Sequence, residues 1–129
     1  MSVTYTTAVK NARMTAVRDQ MDGGGAASRL EICSASYASI LATITLGYSG
    51  ASTGTVSGDT LTLAGFPRSD SSADNTGTAA VARIRTSAGT DVITGLTVGT
   101  SGSDINLDST SIVAGQTVTI NSVTIQHAA

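Results

Sequence analysis

Ser49, His127, the acidic run ending at Asp108 and the arginines at 83 and 85 are the residues of this 129-residue chain whose types suit chemistry. Ser49 lies in "GYSGA" (Gly47 to Ala51), a loose copy of a nucleophile elbow. That motif needs a helix after the serine to present its hydroxyl. "STGTVSGD" follows and has no helical pattern, so a loop between strands is expected. His127 is the single histidine and stands two residues from the C-terminus, a poor platform for a Ser/His/Asp site. With one His and one Cys, a zinc site of the usual ligands is not expected either.

"DINLD" places Asp104, Asn106 and Asp108 at alternate positions, so their oxygens share one face of a strand. Oxygen ligands suit Ca²⁺. The calcium loop of an EF-hand, however, needs Gly and Glu further on, where Ser109 and Gly115 stand. A polar outer strand face is the expected reading. Arg83 and Arg85 also share a strand face, and pairing with Asp91 across a hairpin is expected. "GGG" lacks the preceding strand and following Lys-Ser/Thr of a phosphate loop. Tyr5, Tyr37, Tyr48 and Phe66 are too scattered for a base-stacking platform. No catalytic, cofactor-binding or metal-ligating residue is therefore assigned, and an enzyme is not expected.

Composition points the same way. Charged residues are 12% of the chain, half of the usual share, and the net charge is −2, which gives no electrostatic footprint for nucleic acid. Polarity comes from 21 Thr and 17 Ser, residues of strands and turns. Val, Ile, Leu and Phe total only 27, so the core is thin and burial against other copies would add to stability. Cys33 is alone, so no internal disulfide is expected. "MSVTYTTAVKNAR" shows no apolar signal core, and no run approaches membrane length, which predicts assembly in a cytoplasm.

Two kinds of element must position these residues. Residues 6–22 carry Val9, Ala12, Ala16, Val17 and Met21 at helical spacing. Thr6 or Thr7 can cap the start, and Gly23 can end the helix in the left-handed conformation. Its apolar face is narrow, so it must dock on its own sheet or on another copy; the expectation is a helix that leaves the sheet and packs on another chain. Gly23 to Ser28 is a flexible link, which divides the chain into 1–28 (helix and link) and 29–129 (β domain).

From Arg29 the period becomes two. "RLEIC" turns Leu30 and Ile32 one way and Arg29, Glu31 and Cys33 the other. "SILATITL" follows, and "GDTLTL" turns Leu61 and Leu63 inward. "PRSDSSADNTG", with the single proline, Pro67, is expected to be a long solvated loop. "TAAVARIRT" and "DVITGLTV" flank "SAGT" as a hairpin. Near the end, Val118 and Ile120 share a face while Val123 and Ile125 are one residue out of phase. A bulge at Asn121–Ser122 would return all four to the core. Six to eight short strands predict a mainly β chain, an antiparallel sandwich of jelly-roll or immunoglobulin type with one short N-terminal helix.

The order of parts resembles a family of small β-rich structural proteins of tailed-phage virions, of the decoration or cement kind. The likeness rests on "TAVKNAR", the glycine link, "RLEIC" and "VARIRTSAGTDVITGLTVGTSGSDINLDSTSIVAGQTVTINSVTI". It is strongest from Ala79 to Ile125 and recognisable from Ala8 to Ile32. "CSASYAS" departs from the Gly- and Pro-containing loop of that pattern. The resemblance implies a virion component without catalytic residues or cofactors: a capsid decoration protein, homotrimeric, bridging subunits of the major capsid protein, with no nucleic-acid or membrane partner. A tail, neck or tail-tip protein is the alternative, and a small carbohydrate or cell-surface binding module a third.

Overall fold

The computed structural model describes residues 4–47, 53–58 and 60–126. Helix α1 (Thr7–Met21) starts at Thr6, whose hydroxyl accepts a hydrogen bond from the Val9 amide at 3.4 Å. It does not end at a left-handed Gly23. Asp22–Gly24 continue as one 3-10 turn, and Gly25, at φ 79°, takes the left-handed step.

Nor does α1 leave the sheet. Met14, Val17 and Met21, spaced i, i+3 and i+7, join the core of the strands, and both methionines are buried. Arg18 adds a bond from Nη1 to the Gly54 carbonyl at 3.1 Å. The docked face thus keeps Val17 and Met21 of the expected set and adds Met14. Val9, Ala12 and Ala16 stay exposed because the long, flexible methionine side chains fill the gap over the strands.

The strands are β1 (Arg29–Cys33), β2 (Ile40–Thr45), β3 (Gly54–Ser57), β4 (Thr60–Leu63), β5 (Arg68–Asp70), β6 (Gly77–Thr78), β7 (Val81–Arg85), β8 (Asp91–Gly99), β9 (Ile105–Leu107), β10 (Ser111–Ile112) and β11 (Val118–Gln126). The fold is mainly β with one short helix, as expected, and sandwich-like. β3 and β5 lie in stretches read as loops; at four and three residues they are too short to carry a period.

One curled sheet runs β2-β1-β7-β8-β9-β11-β4-β3, and β6 and β10 form a separate pair. Neighbours are antiparallel except β8 and β9, which run parallel over two residue pairs, Val98 with Ile105 and Gly99 with Asn106. A reciprocal bond closes the short excursion between them: the Thr97 amide donates to Asp104 Oδ2 and the Asp104 amide to Thr97 Oγ1, both at 3.0 Å.

β11 crosses the curl. Val118–Ile120 pair with β5, and Thr124–Gln126 with β4. The expected bulge is present: the β9–β11 register shifts between Ile120 and Ser122. Val118, Ile120, Val123 and Ile125 are all buried as a result. The thin supply of large apolar residues suffices for a compact chain. The accessible surface is 6293 Å², against roughly 6300 Å² for a compact monomer of 12.8 kDa.

Candidate functional site

Charge gathers on the outer face of β1, β7 and β8. Antiparallel pairing sets Glu31 directly opposite Arg83. Arg83 Nε donates to Glu31 Oε1 at 2.7 Å, and Arg85 Nε lies 3.8 Å from the same oxygen. Arg85 Nε also donates to Asp91 Oδ1 at 2.6 Å, the hairpin pair expected from sequence. Arg83 therefore takes a partner that sequence reasoning passed over. The signal was present: Glu31 is the one acid on the polar face of "RLEIC", and "VARIR" is its antiparallel complement.

Tyr37 closes this cluster. Arg83 sits over its ring at 5.3 Å, and its hydroxyl accepts from the Gly95 amide at 2.6 Å. Ser36 and Tyr37 both hold positive φ, 58° and 57°. Such backbone is costly for non-glycine residues and is held here by the ring's contacts. Both belong to the "CSASYAS" segment between β1 and β2. Gly95 itself, at φ 76°, allows the β7–β8 bulge that aims its amide at Tyr37.

The electrostatics hold the cluster in one state. The hydrogen bond that Arg83 donates to Glu31 raises its pKa above the ordinary value. Burial pushes the neighbouring Cys33 thiol up, against the pull of Arg83. A buried thiol held in its neutral form is a poor nucleophile.

The "DINLD" trio does share an outer face, with Ile105 and Leu107 buried beneath. Its oxygens, however, bond to three separate places. Asp104 Oδ2 accepts from the Thr97 amide, Asn106 Oδ1 from the Ser103 amide at 3.2 Å, and Asp108 Oδ1 from Asn121 Nδ2 at 2.9 Å. Asn106 Nδ2 donates to Ser122 Oγ across the β11 bulge. Among the described residues, no group of three His, Cys, Asp or Glu side chains is gathered for a metal ion.

"PRSDSSADNTG" is not a free loop. It lies along β2, an edge strand of the sheet, and bonds the groups that β2 turns away from β1. The Thr43 amide donates to Asp70 Oδ2 at 3.0 Å, and the Asp74 amide to the Leu41 carbonyl at 2.7 Å. Asn75 Nδ2 donates to the Ile40 carbonyl at 2.7 Å, and Arg68 Nη1 to that of Thr45 at 3.3 Å. Since β5 also pairs with β11, this strap joins the sheet's first strand to its far side and nearly closes it. An unpaired edge is a template for unwanted pairing, and the strap occupies it.

An open cleft of about 300 Å³ lies between α1 and the β7–β8 hairpin, lined by Ala16, Val17, Gln20, Thr86, Asp91 and Val92. The remaining sequence candidates are dispersed. Tyr5 lies under Arg13 at 4.2 Å, and Phe66 is 5.6 Å from Arg68, so the described aromatics meet three different arginines. Tyr48, Ser49 and most of "GYSGA" lie outside the described residues, as does His127. Comparisons with protein-family models, with curated proteins and with solved structures found no match to this chain.

Proposed function

We propose that this is a structural virion protein of a tailed phage, a self-associating capsid decoration protein that bridges subunits of the major capsid protein. The observation that supports it is how the polar side chains are employed. Glu31, Arg83, Arg85 and Asp91 tie β1, β7 and β8 together. Asp104 and Asn106 fix the β8–β9–β11 junction, and Arg68, Asp70, Asp74 and Asn75 seal an edge. Groups that a catalyst would present to substrate serve here as ties between strands, as a mechanical part requires. The order of sequence parts supplies the rest of the reading. The function is then mechanical: interface buried between capsid subunits makes opening of the shell costlier.

The test adds purified protein to undecorated phage heads. Saturable binding and a raised temperature of DNA release are expected. Presence of the chain in isolated tails and its absence from isolated heads would overturn the head assignment in favour of a tail or neck component.

A further inference from the structure

Two of the three exposed large apolar side chains among the described residues, Tyr5 at 37% and Val9 at 42%, belong to the outer side of α1 or its N-terminal approach. Helical spacing arranges that side as two adjacent rows: Val9, Arg13, Val17 and Ala12, Ala16, Gln20. The N-terminal half of the rows offers an apolar projection, Val9 beside Ala12, with the exposed cation Arg13. The C-terminal half borders the cleft, whose wall carries the apolar Val17 and Val92 and the carboxylate of Asp91, 48% exposed. One helix side thus carries a projection with positive charge and, about two turns on, a recess edged by the Asp91 carboxylate, which is bonded through Oδ1 to Arg85 yet is exposed enough to meet a second cation.

A surface that carries both complements meets itself across a two-fold axis. With two helices antiparallel, the Val9–Arg13 end of each faces the Ala16–Gln20 end of the other, and each contact occurs twice. Arg13 of one copy then approaches Asp91 of its partner, and Ala12 and Ala16 let the helices come close. We infer that the occupant of this cleft is a second copy of this chain, docked through α1 in an antiparallel pair. The inference rests on the self-association proposed above and names its surface, as a pair in place of the threefold unit that the resemblance implies. The face that docks internally, through Met14 and Met21, is left undisturbed by the pairing.

Sedimentation equilibrium of the purified full chain tests it. A dimer at micromolar concentration is expected. Val9→Glu and Ala16→Glu each set a carboxylate into the paired surface and are expected to weaken pairing roughly tenfold or more. Arg13→Glu is expected to weaken it by less, and added salt to weaken the wild type. Val113→Glu, on the third exposed apolar side chain, at the β10–β11 turn, is expected to change nothing. The substituted side chains are exposed, so melting temperatures stay near wild type and report that folding is intact. A monomer throughout, a trimer, or a dimer indifferent to both glutamates would overturn the inference. A chain that pairs through α1 but ignores phage heads would overturn the decoration reading alone. Heads that bind monomeric chain and Val9→Glu equally well would overturn this inference alone.

Discussion

Two outer faces of the sheet carry acids and treat them differently. On β1–β7–β8, Glu31 is 10% exposed and meets Arg83, 16% exposed, with Arg85 close by. On β9–β11, Asp108 is exposed and meets only the amide of Asn121, while Asp104 bonds a backbone amide and Asn106 a serine. A carboxylate drawn out of water needs a cation and hydrogen bonds to offset its lost hydration; one left in water does not. The first face therefore holds its charges in a single arrangement. The second is a row of local ties, each replaceable at small cost.

The largest effect is expected at Glu31. Glu31→Ala leaves the largely covered Arg83 cation without its carboxylate and is expected to cost about 2–3 kcal/mol, read from urea unfolding. Adding Arg83→Met should recover part of that loss, because removing both partners leaves no orphan charge. A single-mutant cost below about 0.5 kcal/mol would put Glu31 in the same category as Asp108 and erase the contrast.

Next comes Asp70, whose carboxylate accepts from the Thr43 and Ser72 amides. Asp70→Ala is expected to cost about 1–1.5 kcal/mol. Hydrogen exchange at the Thr43 amide should accelerate more than at the Ile32 amide of the interior strand β1. Equal acceleration at both would mean that the strap does not guard the edge.

On the second face, Asp104→Ala removes the carboxylate half of the reciprocal pair with Thr97, leaving the bond from the backbone amide of residue 104, and is expected to cost about 1 kcal/mol. Asp108→Asn should lie within about 0.5 kcal/mol of wild type, as exposed substitutions do. Thermal melts of the wild type and of both variants in millimolar Ca²⁺ should match those without it; a calcium-dependent rise in the wild type that both variants lose would restore the cation reading of this trio.

The smallest ionisation-linked effect at neutral pH belongs to Cys33. Its thiol is raised in the folded chain above the ordinary 9.0. Below 9.0 both states keep the proton and the difference is silent. Above it the unfolded chain ionises first, so stability falls with rising pH until the folded thiol ionises too. Cys33→Ala should flatten the stability profile above pH 9 and leave pH 7 cooperativity intact. A profile above pH 9 that is unchanged by the substitution would contradict the burial.

Much of this was legible because it is local. The alternation in "RLEIC" and "DINLD", the Thr6 cap, the "SAGT" hairpin with its Arg85–Asp91 pair, and the β11 bulge all follow from periods of two or 3.6 read within a few residues. The bulge is instructive, since the out-of-phase Val123 and Ile125 have no other way into the core. The strap was not legible. "PRSDSSADNTG" has the composition of a solvated loop, and nothing within it says that Asp70 and Asn75 will lie against Thr43 and Ile40. The helix was half legible. Its existence followed from spacing, but the choice between the Val9–Ala12–Ala16 row and the Met14–Val17–Met21 row depended on the shape of the surface it meets.

The sequence by itself determined that the chain is mainly β, where its strands alternate, where β11 must bulge and that one helix precedes the sheet. Side-chain direction along a strand or helix is set by backbone geometry, which each short segment carries with it. Only the tertiary structure decided that Glu31 meets Arg83 across 52 residues of chain, that the polar loop straps β2, and that β8 and β9 run parallel. These are pairings between distant segments. Any strand of matching period can supply the partner, and the selection is made by the packing of the whole curled sheet rather than by the residues of either segment.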